Sequence, residues 1–153
     1  MITAYRICKT IHADSAFSGE GARRYGGRWN QVGTKMVYVA GSLSLATLEL
    51  LVHIEDRNLI ESSFSVAEVR FDESLVKHVK LVELPEKWNE SKVKFSTQRY
   101  GSDWVKNGES VVLAMPSVVT PGEVNYLLNV EHQDFDQIEI GKMRSFKMDR
   151  RLI

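Results

Sequence analysis

The chain has 153 residues, 20 Lys plus Arg against 20 Asp plus Glu, and a hydrophobic fraction of 43%. That length suits one domain and is enough to bury a core. Zero net charge counts against a protein that grips nucleic acid through phosphates, which carries a basic excess. The single cysteine, Cys8, excludes an intramolecular disulfide and fits a reducing compartment. The opening stretch MITAYRICKTIHADSAF has no long apolar run and reads as no secretory signal. No segment approaches the roughly 20 apolar residues that span a bilayer. The expected location is cytoplasmic.

ITAYRI (2–7) is β-branched and aromatic and reads as a strand. Residues 12–35 are polar and glycine-rich and read as one long loop, a length that in compact domains often carries function. MVYVA (36–40) reads as a buried strand. SLSLATLELLVHIE (42–55) is the clearest helix, with Ser42 or Ser44 as N-cap. Leu45, Leu48 and Val52 share one face at the 3, 4 spacing, and Glu49 and His53 share another.

FSVAEVRF (64–71) and VKLVEL (79–84) read as strands, and the apolar alternation changes phase between Val66 and Val69, the mark of a bulge. A helix is predicted around 92–107, stopped by Gly108. VVLAMP (111–116) is a buried strand, and 117–132 is mixed. DQIEI (136–140) and SFKMD (145–149) read as a closing pair of strands with GKMR between them. The sum is one domain over 1–153 of the α+β class, a strand-rich core with two main helices.

The chemistry-bearing candidates follow from placement. Arg6 sits in a strand, with Tyr5 and Ile7 pointing to the opposite face, so it needs an anionic or carbonyl partner. Arg28 follows Gly26 and Gly27, which let backbone come close to a ligand, and its guanidinium suits a phosphate. The plainer alternative is a structural carboxylate for Arg6 and a solvated loop. Tyr38 is either a core tyrosine or a ring for stacking on a planar ligand. Glu49, flanked by leucines, faces either solvent or a site. His12, His53, His78 and His132 have no metal spacing, and no HExxH, GxSxG, GxGxxG or Walker pattern is present, so no metal and no cofactor are expected.

Taken together, these segments resemble the RES-domain family, the toxins of bacterial toxin–antitoxin pairs. The likeness rests on YRI (5–7), SGEGARRYGGRWNQVG (18–33), VYVAGSLSLATLELLVH (37–53), MPSVVTPGEVNYLLNVEH (115–132) and FKMDRRL (146–152). These cover nearly the whole chain in the family's order. Arg6 and Arg28 both match arginine positions of the pattern. Tyr38 matches its tyrosine, Glu49 its glutamate, Ser117 its serine, and Asn125 and Asn129 its asparagines. Val130 stands where many relatives carry proline, a change to loop stiffness more than to chemistry.

The resemblance implies a fold similar to ADP-ribosyltransferase toxins and NAD as substrate. It implies NAD degradation by hydrolysis or phosphorolysis, or ADP-ribosylation of a protein. It also implies an Xre-type helix-turn-helix antitoxin as partner and a homodimer, with no membrane and no direct nucleic-acid binding. In these expectations Glu49, Arg6 and Ser117 are catalytic, and Arg28, Tyr38, Asn125 and Asn129 bind substrate. Glu49 would stabilise an oxocarbenium-like transition state. Nicotinamide leaves as a neutral molecule, so one carboxylate can suffice where glycoside hydrolysis uses two. A different class of reading is a catalytically idle module that works by binding a partner.

Overall fold

The computed structural model describes residues 1–53 and 62–153. β1 (Ile2–Lys9), β2 (Val37–Ala40), β3 (Phe64–Phe71), β4 (Val76–His78), β5 (Val112–Pro116), β6 (Val124–Leu128), β7 (Glu139–Ile140) and β8 (Arg144–Phe146) form one sheet. Its order is β4-β5-β6-β2-β1-β3, with β7 and β8 both on the outer edge of β3. Three α-helices accompany it among the described residues: α1 (Glu20–Tyr25), α2 (Leu43–Val52) and α3 (Phe95–Asn107). The α+β expectation holds, with α2 and α3 as the two main helices.

Chain connections explain where the helices lie. β2 and β3 flank β1 and both run antiparallel to it, so the link between them crosses over β1. α2 opens that crossover and lies against Tyr5 and Ile7 of β1. β4 and β5 are parallel neighbours, a pairing that needs a crossover, and α3 lies in that connection. One face of the sheet carries Ala4, Val37, Val39, Val69, Phe71, Val112 and Leu128. The other carries Leu113, Met115 and Leu127, packed with Trp29 and Trp104. Gly101 is required where α3 meets the Trp29 backbone: a Cβ there would lie 1.7 Å from the Trp29 carbonyl oxygen.

Several sequence expectations change. Residues 12–35 are not one loop, because a 3-10 turn (Thr10–Ser15) and α1 interrupt it. Ser42 is the α2 N-cap and accepts the Leu45 N–H at 3.1 Å, whereas residues 54–55 of the predicted helix lie outside the described residues. Leu48 and Val52 do not share the buried face of Leu45; they are 40% and 59% exposed. The helix is apolar on nearly every side, so spacing could not select its inner face.

VKLVEL is not a strand: pairing with β5 ends at His78, and Leu81–Glu83 is a 3-10 turn. The predicted helix around 92–107 is α3, and Gly108 closes it in the left-handed region at φ 62°. β3 itself has no bulge, since its pairing with β1 runs unbroken from Phe64 to Phe71. Its alternation breaks because both faces are covered from Phe64 to Ala67. The extra residue lies instead in the partner. Ile140 faces Val69 and Arg144 faces Val66, four steps on one chain against three on the other. β7 and β8 therefore do not pair with each other; they form one edge run along β3, offset at 141–143.

Candidate active site

Glu49 projects from the second half of α2 toward β6 and the end of β5. Its Oε1 accepts two hydrogen bonds, from Asn125 Nδ2 at 2.6 Å and from Ser117 Oγ at 3.1 Å. Two donors on one oxygen fix the carboxylate, and among the described residues Oε2 has no hydrogen bond, with His53 Nε2 at 3.9 Å. The sheet explains the meeting. Asn125 lies opposite Ala40 on one side and Met115 on the other. Met115 and Ser117 alternate onto the same face as Asn125. α2 starts directly after β2, so its second turn passes over that face. Ser117 is buried, and its hydroxyl also accepts the Thr120 N–H at 3.0 Å. That bond turns the hydroxyl proton toward Glu49.

Arg28 comes from the glycine-arginine loop. Its Nη1 donates to the carbonyls of Trp88 at 2.9 Å and Glu90 at 2.7 Å. Burial pushes its pKa down, while the charge of Glu49 and the nearby Tyr38 oppose that shift. Arg28 is thus within electrostatic reach of the carboxylate and also pins the segment that carries Trp88. Trp29 is 5% exposed and packs between Trp88 and Tyr100, as an anchor of the loop.

Gly27 also serves the fold itself. A Cβ on Gly27 would fall 2.6 Å from the Tyr38 hydroxyl. The close approach is intramolecular. Tyr38 accepts the Trp29 N–H at 3.1 Å and donates to Asn30 Oδ1 at 2.5 Å. Asn30 is fully buried and donates in turn to the carbonyls of Ala22 and Thr34. Burial of the Tyr38 hydroxyl raises its pKa well above the ordinary tyrosine value.

Two candidates are not brought to Glu49. Arg6 emerges on the opposite face, in line with Ala4. β1 and β2 share a single paired position, Tyr5 with Ala40. Where they splay, Arg6 Nη1 donates to the Tyr38 carbonyl at 3.0 Å and Nε to the Ala16 carbonyl at 2.6 Å. Its partners are carbonyls, not a carboxylate, and burial lowers its pKa. Asn129 is buried beyond the far end of β6. Its Nδ2 donates to the Val105 carbonyl of α3 at 3.3 Å, and its Oδ1 accepts the Glu131 N–H at 3.1 Å.

A cleft of about 460 Å³ opens beside Ser117, walled by Trp88, Asn89, Pro116, Pro121, Glu123 and Val124 among others. Sequence reading missed Asn30, Trp88 and Glu123. Asn30 and Trp88 act only through contacts distant in sequence, which no local spacing reveals. Glu123, two residues before Asn125 in an extended segment, was open to detection by its period-2 relation to that residue.

An α+β sheet whose crossover helix presents one glutamate, held by a serine and an asparagine, is the class this geometry defines. The chain belongs to the RES domain family, whose model matches residues 3–149. It is 37% identical over 150 residues to "Toxin Res" of Photorhabdus laumondii, covering 97% of this chain and 96% of that protein. It is 35% identical to "Toxin Res" of Yersinia enterocolitica, covering 97% of each chain. The "Prs ADP-ribosylating toxin" of a Sphingobium species is 34% identical, over 95% of this chain and 91% of that one. In fold the chain is similar to a chain in the crystal structure of the M. tuberculosis MbcT–MbcA toxin–antitoxin complex. That match has a TM-score of 0.75 at 18% identity and covers 95% of this chain and 84% of that one.

Proposed function

We propose that this protein is a toxin that depletes NAD by cleaving the nicotinamide–ribose bond, through hydrolysis or phosphorolysis. The observation that carries this reading is the Glu49 carboxylate, fixed at Oε1 by Ser117 and Asn125 with Oε2 left for substrate. A fixed anion beside the ribose stabilises the positive charge that develops at C1′ as the bond to nitrogen breaks. Nicotinamide departs neutral, so no acid is needed to help it leave. Ser117 holds and orients Glu49, its hydroxyl donating to the carboxylate and accepting the Thr120 N–H.

Arg28 would meet the pyrophosphate with Nε and Nη2, which have no hydrogen bond among the described residues, while Nη1 holds the Trp88 segment. Tyr38 offers its ring for the nicotinamide, its hydroxyl being fixed by Asn30 and Trp29. Arg6 acts at one remove, bracing β2 through the Tyr38 carbonyl. Asn129 braces the β6 end against α3.

The second reading is transfer of ADP-ribose to a protein, favoured by the printed name of the Sphingobium relative. The fold likeness to a chain from a toxin–antitoxin complex supports a neutralising partner, which we take to be an Xre-type helix-turn-helix protein. A homodimer and a cytoplasmic location belong to the same proposal. Among the described residues no helix is long and apolar enough to cross a membrane. An idle binding module has no use for a carboxylate held this firmly, which disfavours that alternative.

The test is nicotinamide release from NAD by purified protein, with and without phosphate, in clean buffer and in lysate. Release in buffer supports the NAD-degrading reading, and its phosphate dependence separates phosphorolysis from hydrolysis. Release confined to lysate, with ADP-ribose on a protein band, supports the transferase. No release in either medium from folded protein overturns both.

A further inference from the structure

The cleft beside Ser117 is lined by a carboxylate, Glu123, and Ser117 joins it to Glu49. Glu123 lies two residues before Asn125, so in extended chain both side chains point to the same face. Its backbone is tied to Ser117: the Glu123 carbonyl accepts the Ser117 N–H at 2.9 Å. Its Oε1 accepts from Ser42 Oγ at 3.2 Å. Ser42 is the N-cap of α2 and precedes Glu49 by seven residues, two helical turns, so both stand on one side of the helix. β6 and its lead-in therefore meet α2 at two rungs, Glu123 with Ser42 and Asn125 with Glu49. One strand pleat, about 6.6 Å between alternate Cα atoms, separates the rungs. Glu123 forms no ion pair among the described residues, and only Oε1 is hydrogen-bonded there. It lines the cleft together with Ser117.

We infer that Glu123 is the general base for the acceptor, and that the acceptor is a neutral hydroxyl entering through this cleft. The inference rests on the NAD reading above. Two carboxylates on adjacent rungs divide the work: Glu49 faces the developing cation, and Glu123 takes the acceptor's proton. As the C1′–N bond breaks, its electron pair goes to the pyridinium nitrogen and neutralises it. The acceptor oxygen forms the new bond to C1′, and its proton passes to the Glu123 carboxylate. Water and a hydroxyl side chain of a protein share this chemistry. Inorganic phosphate does not: it arrives as an anion, needs no base, and meets two negative charges.

The experiment compares wild type, Glu123→Gln and Glu123→Ala in phosphate-free buffer and in lysate, with NAD as substrate. Nicotinamide release is read alongside product identity and melting temperature. The expected result is a loss in kcat of about 100-fold for Glu123→Gln with little change in KM. Added azide should restore turnover to Glu123→Ala and give ADP-ribosyl azide in place of the hydroxyl product. Azide needs no base, and a merely structural defect would not respond to it. Free ADP-ribose identifies water as acceptor, and protein-linked ADP-ribose in lysate identifies a side-chain hydroxyl. Full kcat in a folded Glu123→Gln variant, or a wild-type rate that rises in proportion to phosphate, overturns the inference and leaves the NAD reading intact. If wild type releases no nicotinamide in either medium, the NAD reading itself has failed.

Discussion

Asn125 and Asn129 lie four residues apart at the two ends of β6, and their amides serve different structures. Asn125 donates to a carboxylate, in a place where α2 crosses the sheet. Asn129 donates to a backbone carbonyl of α3 and accepts from the backbone at Glu131. The residue type is the same and so is the strand face. What differs is the element packed above: a crossover helix carrying an acid at one end, a helix end with unsatisfied carbonyls at the other. The lesson is that an asparagine in a family pattern has two meanings, and only its partner decides between them. The two arginines repeat it. Arg28 feels the charge of Glu49, while Arg6 fills the splay between β1 and β2.

That contrast can be broken or sharpened by substitution. The largest effect is expected when both donors to Glu49 are removed. Ser117→Ala with Asn125→Ala should lower kcat for nicotinamide release by about 100- to 1000-fold, the scale of losing preorganised hydrogen bonds in a site. Each single variant should lose less than the pair. A double variant with wild-type kcat would show that the fixed geometry of Glu49 is irrelevant.

Asn129→Ala should do the reverse. It removes both hydrogen bonds of a buried amide, to the Val105 carbonyl and from the Glu131 N–H, at a cost of about 1–3 kcal/mol in stability. Denaturant titration should show that loss, and the folded fraction should turn over NAD at nearly the wild-type rate. Strong loss of kcat without loss of stability would move Asn129 into the site.

Tyr38 gives a smaller, pH-dependent effect. Its folded pKa is raised by burial, above the unfolded value near 10. Above that pH the unfolded chain sheds the tyrosine proton and the folded chain keeps it. Stability from this group is therefore fully present below about pH 10 and is lost as pH rises toward the folded value. Melting temperatures across the alkaline range should fall more steeply for wild type than for Tyr38→Phe. The smallest effect is expected on the outer side of α2. Leu48→Ala should change stability by no more than about 1 kcal/mol, because that residue is 40% exposed and alanine favours the helix. A large loss on thermal melting would show that Leu48 is covered.

The strands Ile2–Lys9 and Val112–Pro116, and the helices α2 and α3 with Ser42 and Gly108 at their ends, were legible from propensity and capping. The inner face of α2 was not, because Leu48 and Val52 are as apolar as Leu45. The turn at 81–83 was not, because alternation there mimics a strand that has no partner. Of the site, Glu49, Ser117 and Asn125 were recognisable from the family pattern, and the structure brings those three together. Composition alone could not have separated Asn125 from Asn129. The purpose of Gly27 was also hidden: it makes room for Tyr38, thirty-two residues from the Arg6 that braces the same strand.

The most direct test of the central claim is the rate of nicotinamide release from NAD by wild type and by Glu49→Gln, measured side by side on folded protein. Glutamine keeps an oxygen for Ser117 and Asn125 and removes only the charge. The account predicts release by wild type and none measurable from Glu49→Gln at an unchanged melting temperature. Equal rates from the two proteins would contradict it.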